Sequence, residues 1–380
     1  MTRLPYTADH TSALNILTAM MEGAGLHVSL DAAGTLVGRR PGPAGGKCLL
    51  MGSHQDSVRQ GGAYDGIMGI VLPILAMEKL RGDGVELPFT VEILAFADEE
   101  GVRFPTALLG SRALAGTYDP SVLDMHDGEG MTLNDAMVAF GLDPREIPGL
   151  HRDPTDLIGF LETHIEQGPI LQTEDEAVGV VSAICGIERH IIEFIGETGH
   201  AGTLPMAGRQ DALAGAAAMI TEINQMGQMA ADLRATVGQL NIEPNVVNAV
   251  PRLAKLTAEL RSPTDKARSD AGEHIHRRAQ ELAIEYNLQV KASKTYSQIA
   301  QLCDKTLSDR LLEAARGVGA SGLTLPSGAT HDASAMADLC PIAMLFVRCR
   351  DGVSHTPGEY ASPNDMAIAV SALSEFLKTL

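Results

Sequence analysis

The chain has 380 residues, and at roughly 100–200 residues per domain this length fits two domains. Hydrophobic residues make up 45% and charged residues 20%, a balance typical of globular proteins with a sizeable core, which excludes disorder and fibrous repeats. Lysine and arginine number 29 against 48 aspartates and glutamates, and the resulting net charge of −19 argues against a nucleic-acid partner.

The sequence contains no segment that predicts membrane insertion or secretion. The longest apolar stretch, Gly66 to Met77, is shorter than the ~20 residues of a membrane-spanning helix, and it contains Pro73. We therefore predict a buried helix there and no membrane partner. The N-terminus lacks an apolar signal core, and the 5 cysteines form no CxxC pair, which favours a reducing cytoplasm.

Short β-rich runs that end in polar clusters alternate with helical patterns over much of the chain. This alternation predicts an α/β sheet covered by helices, with ligands beyond the carboxyl ends of its strands. The predicted strands are Lys47–Met51, Thr90–Ala97 and Ile342–Val347, and the predicted helices are Ile67–Leu80, Thr106–Leu114 and Thr306–Arg316.

A different pattern begins near Val178 and indicates a compact α+β unit. Residues 179–196 read as a strand, a glycine turn and a strand. The elements predicted after them are the helix Gln210–Met226, the strands Val237–Ile242 and Ala254–Leu260, the helix Lys266–Tyr286 and the strand Leu288–Ser293. We predict that residues 183–299 form a domain inserted into a discontinuous larger domain, 1–182 and 300–380.

The densest polar grouping is GSHQDSVRQGGAYDG, residues 52–66. In it His54 follows a predicted strand, and Asp65 lies in a glycine-rich turn. Imidazole and carboxylate are ligands for a divalent metal, and glycines let a loop close around an ion. A core histidine and a turn aspartate would give the same pattern, so these two residues alone leave both interpretations open.

Three adjacent carboxylates, Asp98, Glu99 and Glu100, follow the next predicted strand. Their repulsion near a protein interior would be relieved by a bound cation. A solvated acidic loop explains these three residues equally well.

Other predicted strands are also followed by polar residues. ETHIEQGP, residues 162–169, supplies a further imidazole and an amide, and SGATHDA, residues 327–333, precedes a helix. Two imidazoles and one carboxylate can hold one ion, an imidazole and a carboxylate can hold a second, and one aspartate can bridge them. The five candidate ligands at strand ends are His54, Asp65, Glu100, His164 and His355. Glu99 then remains beside the ions as a general base.

Eight motifs follow one another along the chain: GSHQDSVRQGGAYDG, ADEEGVRF with GSRALAG, ETHIEQGPIL, GHAGTLPMAGRQDAL, PNVVNAVP, AELRSP, SGATHDA and GVSHTPGE. In this order they resemble the amidase/hydantoinase/carbamoylase branch of the M20 metallopeptidases, from Thr2 to the C-terminus. That branch includes N-carbamoyl-L-amino-acid hydrolases, allantoate amidohydrolases and β-ureidopropionases. The resemblance implies a two-domain architecture, in which an α+β lid domain is inserted into a larger α/β metal-binding domain. It also implies that two chains form a homodimer through the inserted domain.

The resemblance also implies a role for each motif residue. It makes His54, Asp65 and His164 ligands of one divalent ion, and Asp65, Glu100 and His355 ligands of the other. The side-chain chemistry fits zinc, manganese, cobalt or nickel. It makes Glu99 the catalytic base, and it gives Asp56 the role of orienting the imidazole of His54.

For the substrate, the resemblance implies contacts from both predicted domains. His200 would reach the partner subunit's active site and hold the developing oxyanion. Asn248 and Arg261 would hold the substrate carboxylate, and Gln167 would bind the ureido group. The pocket wall would include Ser327, Gly328 and His331. Taken without their motifs, His200 reads as an exposed turn histidine and Arg261 as one half of a surface ion pair.

The expected function is hydrolysis of the carbamoyl group of an N-carbamoyl-L-amino acid, giving the amino acid, carbon dioxide and ammonia. Allantoate amidohydrolase is the alternative within the branch. An aminopeptidase or dipeptidase fits less well because His164 occupies a position where peptidase relatives often have a carboxylate. A metal-free binding protein would be favoured by loss of a ligand or of Glu99, and none is missing. Thr330 stands where glycine is common in the family, which bears on substrate identity.

Overall fold

The computed structural model describes all residues, Met1–Leu380. The chain divides into two compact units, one formed by Met1–Ser182 with Leu302–Leu380 and the other by Ala183–Gln301. None of the helices combines the length and apolar character needed to cross a membrane.

The helices are α1 (Ala8–Gly23), α2 (Met68–Gly82), α3 (Leu109–Ala115), α4 (Leu133–Phe140), α5 (Ile170–Thr173), α6 (Ala212–Met229), α7 (Asp265–Glu285), α8 (Lys305–Gly317), α9 (Asp332–Met336) and α10 (Pro363–Thr379). The strands are β1 (His27–Leu30), β2 (Leu36–Arg40), β3 (Cys48–His54), β4 (Thr90–Phe96), β5 (Leu157–Ile165), β6 (Val178–Ile184), β7 (Gly186–Ile195), β8 (Arg234–Thr236), β9 (Leu240–Glu243), β10 (Leu253–Ser262), β11 (Gln289–Gln298), β12 (Gln301–Leu302), β13 (Thr324–Ser327) and β14 (Ile342–Val347). Short 3₁₀ helices cover Pro120–Asp124, Pro144–Leu150, Pro154–Asp156 and Arg350–Gly352.

The larger sheet is mixed and has nine strands in the order β1-β2-β4-β3-β5-β14-β6-β12, with β13 paired to β6. Its four central strands, β4, β3, β5 and β14, are parallel, whereas β1 pairs antiparallel with β2, β2 with β4, and β6 with β14. Parallel strands of an α/β sheet are buried on both faces, and every residue of β4 and β14 is buried. The predicted α/β class is confirmed.

Helices cover both faces of this sheet. Consecutive strand residues point to opposite faces, so each face of a buried strand presents apolar side chains on which helices can pack. Buried residues of α1, α2, α8 and α10 share one core with alternate residues of β3, β4, β5 and β14. A second core forms around α3 and α4 and includes Phe104 and Met137. Pro73 lies inside α2 without ending it.

The start of α3 differs from the sequence prediction of Thr106. The helix begins at Leu109 because Leu108 has a left-handed backbone, with φ of 62°. The amides of Leu108 and Leu109 instead donate to the carbonyls of Glu99 and Asp98, at 3.2 and 3.1 Å. These bonds hold the acidic segment after β4 in place.

The second unit is an antiparallel sheet in the order β11-β7-β10-β8, with β9 also paired to β10 and with α6 and α7 packed against one face. Burial alternates along β10, as expected for a sheet covered on one side. The other face carries charged residues, among them Arg189, Glu259 and Arg261.

Two details of this region differ from the sequence prediction. The two strands read from residues 179–196 lie in separate sheets, because β6 pairs with β14 while β7 pairs with β10 and β11. The predicted strand Val237–Ile242 begins at a break, because residues 237–239 lie between β8 and β9. Thr236 pairs with Glu259 and Leu240 with Leu256, so this connection holds one residue more than the facing part of β10. Such an extra residue forms a bulge that breaks the hydrogen-bond ladder.

Candidate metal centre

Four adjacent parallel strands bring the candidate site together at their carboxyl ends. His54 is the last residue of β3, and His164 is the penultimate residue of β5. Glu99 and Glu100 follow β4, and His355 follows β14. Because these strands are neighbours and run in one direction, their carboxyl ends meet at one edge of the sheet.

Asp65 lies at the middle of this group, in the loop between β3 and α2. Its Oδ1 is 3.0 Å from His164 Nε2 and 3.8 Å from His54 Nε2. Its Oδ2 is 3.0 Å from His355 Nε2, and that imidazole lies 3.8 Å from Glu100 Oε1. The two oxygens of one carboxylate therefore face two different sets of side chains.

Backbone carbonyls orient two of the imidazoles. His54 Nδ1 lies 3.1 Å from the carbonyl of Asp56, and His164 Nδ1 lies 2.9 Å from the carbonyl of Ile165. A carbonyl only accepts, so each Nδ1 carries a proton. Both Nε2 atoms face Asp65; each can carry a second proton toward that carboxylate when the imidazole is charged, and each offers a lone pair to a metal ion when the imidazole is neutral.

Asp56 is engaged mainly with the acidic segment. Its two carboxylate oxygens accept the amides of Glu99 and Glu100, at 3.1 and 3.2 Å. Its carboxylate is 3.7 Å from His54 Nδ1, farther than its own carbonyl. The carbonyl is thus the closer partner of that ring, while the carboxylate holds the two glutamates.

Burial and the surrounding charges shift the pKa values of the site in opposite directions. Burial raises the pKa of the Glu99 carboxyl well above its ordinary value. Burial disfavours protonation of His54, but Glu99 and neighbouring carboxylates outweigh it and raise the pKa of that imidazole. For Asp65 burial favours the neutral form, but hydrogen bonds from His164 and His355 prevail and lower its pKa. Opposed shifts of this kind cluster at functional sites.

The side chains fit divalent cations. Three groups of donors come within 4.8 Å of one another here: His54, Asp65 and His164; His54, Glu99 and Glu100; and Asp65, Glu100 and His355. Glu100 Oε1 is buried without a hydrogen-bond partner, as expected of a ligand atom. Imidazole and carboxylate together suit zinc, manganese, cobalt or nickel.

A fourth group of possible donors consists of Glu162, His164 and His331, and two of these side chains are engaged in hydrogen bonds with other residues. Glu162 accepts hydrogen bonds from Ser53 Oγ at 2.7 Å and from the amide of Ala333 at 2.8 Å. His331 Nε2 is 2.7 Å from Ser327 Oγ. These donors and acceptors are already paired, so the group acts as a buried network that supports His164.

Sequence reasoning overlooked Glu162 and Glu359. Both are buried carboxylates, at 0% and 5% exposure. Glu162 could have been noticed as a charged residue inside an otherwise apolar strand, since buried charges need partners. Glu359 ends the motif GVSHTPGE, and the backbone amides that donate to it lie in a loop far away in sequence.

Gln167 lies beside the candidate centre with a positive φ of 57°. Its Nε2 is 3.4 Å from both Asp65 oxygens and 3.3 Å from Ser354 Oγ. Its Oε1 is buried and has no hydrogen-bond partner. Of the predicted pocket wall, Ser327 is buried against His331, and Gly328 is exposed.

His200 and Asn248 lie close together in the second unit. His200 forms a bridge with Ala249, and the amide of Ala201 donates to the carbonyl of Asn248 at 2.9 Å. The amide of Gly202 donates to His200 Nδ1 at 3.1 Å. Since Nδ1 accepts, a neutral His200 carries its proton on Nε2, and the exposed ring can donate from that atom.

Arg261 lies on the exposed face of β10. Its Nε donates to Glu259 Oε1 at 2.8 Å, and the other oxygen of Glu259 accepts from Arg189 Nε at 2.7 Å. The guanidinium of Arg261 is thus held from one edge by a carboxylate that is itself anchored. The planar guanidinium group matches the two oxygens of a carboxylate, which a lysine ammonium group does not.

Comparisons with known proteins agree with this geometry. The family model of the M20/M25/M40 peptidases matches residues 50–379. An N-carbamoyl-L-amino acid amidohydrolase of Geobacillus stearothermophilus is 36% identical, across 98% of this chain and 91% of its own. An allantoate deiminase of Arabidopsis thaliana is 35% identical, across 97% of this chain and 76% of its own.

Solved structures support the same family assignment. An amidase of the hydantoinase/carbamoylase family from Burkholderia multivorans superposes with a TM-score of 0.93 at 30% identity, covering 100% of this chain and 92% of its own. The predicted resemblance and the two-domain fold class are confirmed. The chain belongs to the M20/M25/M40 peptidase family, as an amidohydrolase of the hydantoinase/carbamoylase branch.

Proposed function

We propose that the chain hydrolyses the carbamoyl group of an N-carbamoyl-L-amino acid with the help of two divalent ions. The observation that best supports this is the carboxylate of Asp65, whose two oxygens lie 3.0 Å from His164 and from His355. A carboxylate that faces two donor sets suits a bridge between two ions. His54 would complete the first set and Glu100 the second.

The substrate carboxylate is assigned to Arg261 and Asn248. Arg261 is anchored by Glu259 and can offer parallel hydrogen bonds to a carboxylate, and Asn248 can add an amide donor. Gln167 is assigned to the ureido group, because its unpartnered Oε1 can accept from a ureido N–H. Gln167 would in this way hold the ureido group beside Asp65, which its Nε2 contacts.

Glu99 serves as the base and then as the acid. Divalent ions held by the ligands would lower the pKa of water to about 7 and polarise the ureido carbonyl. Glu99 takes the proton of the attacking water and later gives it to the departing amino nitrogen. Burial raises the pKa of Glu99 above that of an ordinary carboxyl, which favours holding the proton between the two steps. The other product is carbamate, which breaks down to carbon dioxide and ammonia.

His200 is assigned to the oxyanion that forms at the ureido carbonyl. Its Nε2–H is the donor, since Nδ1 is occupied by the amide of Gly202. We further propose that the chain acts as a homodimer in which this imidazole serves the partner's site.

Allantoate hydrolysis is the second candidate. The allantoate deiminase of Arabidopsis thaliana is 35% identical, nearly as similar as the amidohydrolase of Geobacillus stearothermophilus at 36%. Allantoate also carries a carboxylate and ureido groups, so the same contacts would serve it.

The test is ammonia release from a panel of N-carbamoyl-L-amino acids and from allantoate. The metal-stripped protein is reconstituted separately with zinc, manganese, cobalt and nickel before each assay. Turnover of one or more N-carbamoyl-L-amino acids, well above that of allantoate and dependent on metal, is expected. A clear preference for allantoate would select the second candidate. Absence of turnover with every metal and substrate would reject both.

A further inference from the structure

We propose that Glu359 is a positioning residue that joins the loop of Asp65 to the loop of His355 and so preforms the second metal site. This inference rests on the proposed function, since it concerns the same ligands. The Glu359 carboxylate accepts hydrogen bonds from two backbone amides and one hydroxyl group.

One oxygen of Glu359 fixes the first loop. Its Oε1 accepts the amides of Tyr64 at 2.9 Å and of Asp65 at 3.0 Å. The chain packs so closely here that a side chain at Gly62 would collide with the Glu359 carboxylate. Two hydrogen bonds from successive amides to one charged oxygen fix the direction of the backbone from which the Asp65 carboxylate projects.

The other oxygen fixes the second loop. Glu359 Oε2 accepts from Ser354 Oγ at 2.8 Å, directly before His355. His355 has a positive φ of 58°, a left-handed conformation that is strained for a non-glycine residue and needs support from its surroundings. The bond to Ser354 supplies such support at the adjacent residue.

Glu359 is buried, at 5% exposure, so its carboxylate would be costly to desolvate without these three partners. A ring contact reinforces the junction, because Tyr64 and Tyr360 meet edge to face with centroids 6.0 Å apart. Asp65 and His355 belong to loops far apart in sequence, and Glu359 with its neighbour Tyr360 contacts both. Residues that orient metal ligands typically contribute about 10–100-fold to metal affinity.

The experiment titrates the metal-stripped full chain with Co²⁺ alone, using calorimetry and the visible absorption of bound cobalt. Wild type is expected to bind two ions. Glu359→Ala should bind the second ion about 10–100-fold more weakly and change its absorption spectrum. Glu359→Gln should stay close to wild type, because its carbonyl oxygen can accept both amides and its NH₂ can donate to Ser354.

Asp31→Ala is the matched control. One oxygen of Asp31 also accepts two amides, those of Ala33 and Thr35 at 2.9 Å each, in the turn between β1 and β2. This variant should lose stability in urea unfolding and keep both Co²⁺ affinities. Should Glu359→Ala fail to fold, Ser354→Ala replaces it, with an expected weakening of about two- to tenfold for one hydrogen bond.

The inference is overturned if Glu359→Ala, or Ser354→Ala in its place, binds both ions as wild type does. It is also overturned if Glu359→Gln binds the second ion as weakly as Glu359→Ala does, because the charge of Glu359 rather than its geometry would then be responsible. The same holds if Asp31→Ala binds the second ion equally weakly. A wild-type chain that binds two ions without hydrolysing any ureido substrate would reject the proposed function and leave this inference standing. A wild-type chain that binds no Co²⁺ would reject both.

Discussion

Mild acid is expected to destabilise the fold through His10, a histidine of α1 with 0% exposure. Its Nδ1 accepts the amide of Tyr6 at 3.0 Å, and its ring stacks on Phe140 with centroids 4.7 Å apart. Its Nε2 is buried without a hydrogen-bond partner. Burial, assisted by the nearby Arg3 cation, lowers the pKa of His10 to about 3.

The size of the effect follows from proton linkage. Below a pH of about 6.5 the unfolded chain binds a proton at this histidine that the folded chain does not bind, so the free energy of unfolding falls as the pH falls. Each pH unit corresponds to about 1.4 kcal/mol, which gives about 2 kcal/mol between pH 6.5 and 5. The loss would level off at about 5 kcal/mol near the folded-state pKa of about 3.

The assay is urea unfolding of the metal-stripped chain from pH 7.5 to 5, compared with His10→Asn. Asparagine can still accept the Tyr6 amide but does not titrate, so the variant should be less stable at pH 7.5 and lose less stability toward pH 5. Other histidines titrate in both proteins, so their contributions cancel when the free energies of unfolding of the two proteins are subtracted. Parallel stability profiles for the two proteins would refute the idea that His10 stays neutral in the folded state.

Four further predictions concern the candidate site. Glu99→Gln should lower kcat about 10²–10⁴-fold with metal content unchanged, and near-normal turnover would exclude Glu99 as the base. Asp65→Ala should lose both ions in metal analysis, and one retained ion that suffices for catalysis would exclude the bridge. Mixed dimers of His200→Ala and Glu99→Gln chains should regain activity approaching half of wild type per heterodimer. Subunit exchange without recovery would show that His200 does not serve its partner. Arg261→Lys should raise KM about tenfold with kcat nearly unchanged, because lysine keeps the charge and loses the planar fork; an unchanged KM would remove Arg261 from the substrate carboxylate.

The sheet and the meeting of the candidate ligands could be predicted because both depend on local patterns. β14 occupies Ile342–Val347, as predicted from its apolar run, and the helix prediction Thr306–Arg316 differs from α8 by one residue at each end. Once parallel strands are assumed, polar residues after them must lie near one another. This reasoning places His54 and His164 at the same edge of the sheet, and the adjacency of β3 and β5 then brings them together.

The supporting carboxylates depend on contacts that local patterns do not encode. Glu162 bonds Ser53 across 109 residues, and Glu359 bonds Tyr64 across 295. Which loops meet is decided by the order of the strands in the sheet, and that order does not follow the sequence. The predicted start of α3 at Thr106 was wrong for a related reason. The amide of Leu108 donates to the acidic segment after β4, and the helix begins only at Leu109.

These supporting contacts explain how an acidic centre can be built into a folded chain. Asp56 compensates its charge with the amides of Glu99 and Glu100, and Glu359 does so with backbone and hydroxyl donors. Glu100 Oε1 has no such donor, and its nearest imidazole nitrogen is His355 Nε2 at 3.8 Å. The anchoring carboxylates are therefore satisfied by the protein alone, whereas Oε1 of the candidate ligand Glu100 is not. A cation that completes this site binds the folded chain in preference to the unfolded one, and its stabilisation of the fold grows with the logarithm of its concentration divided by its Kd.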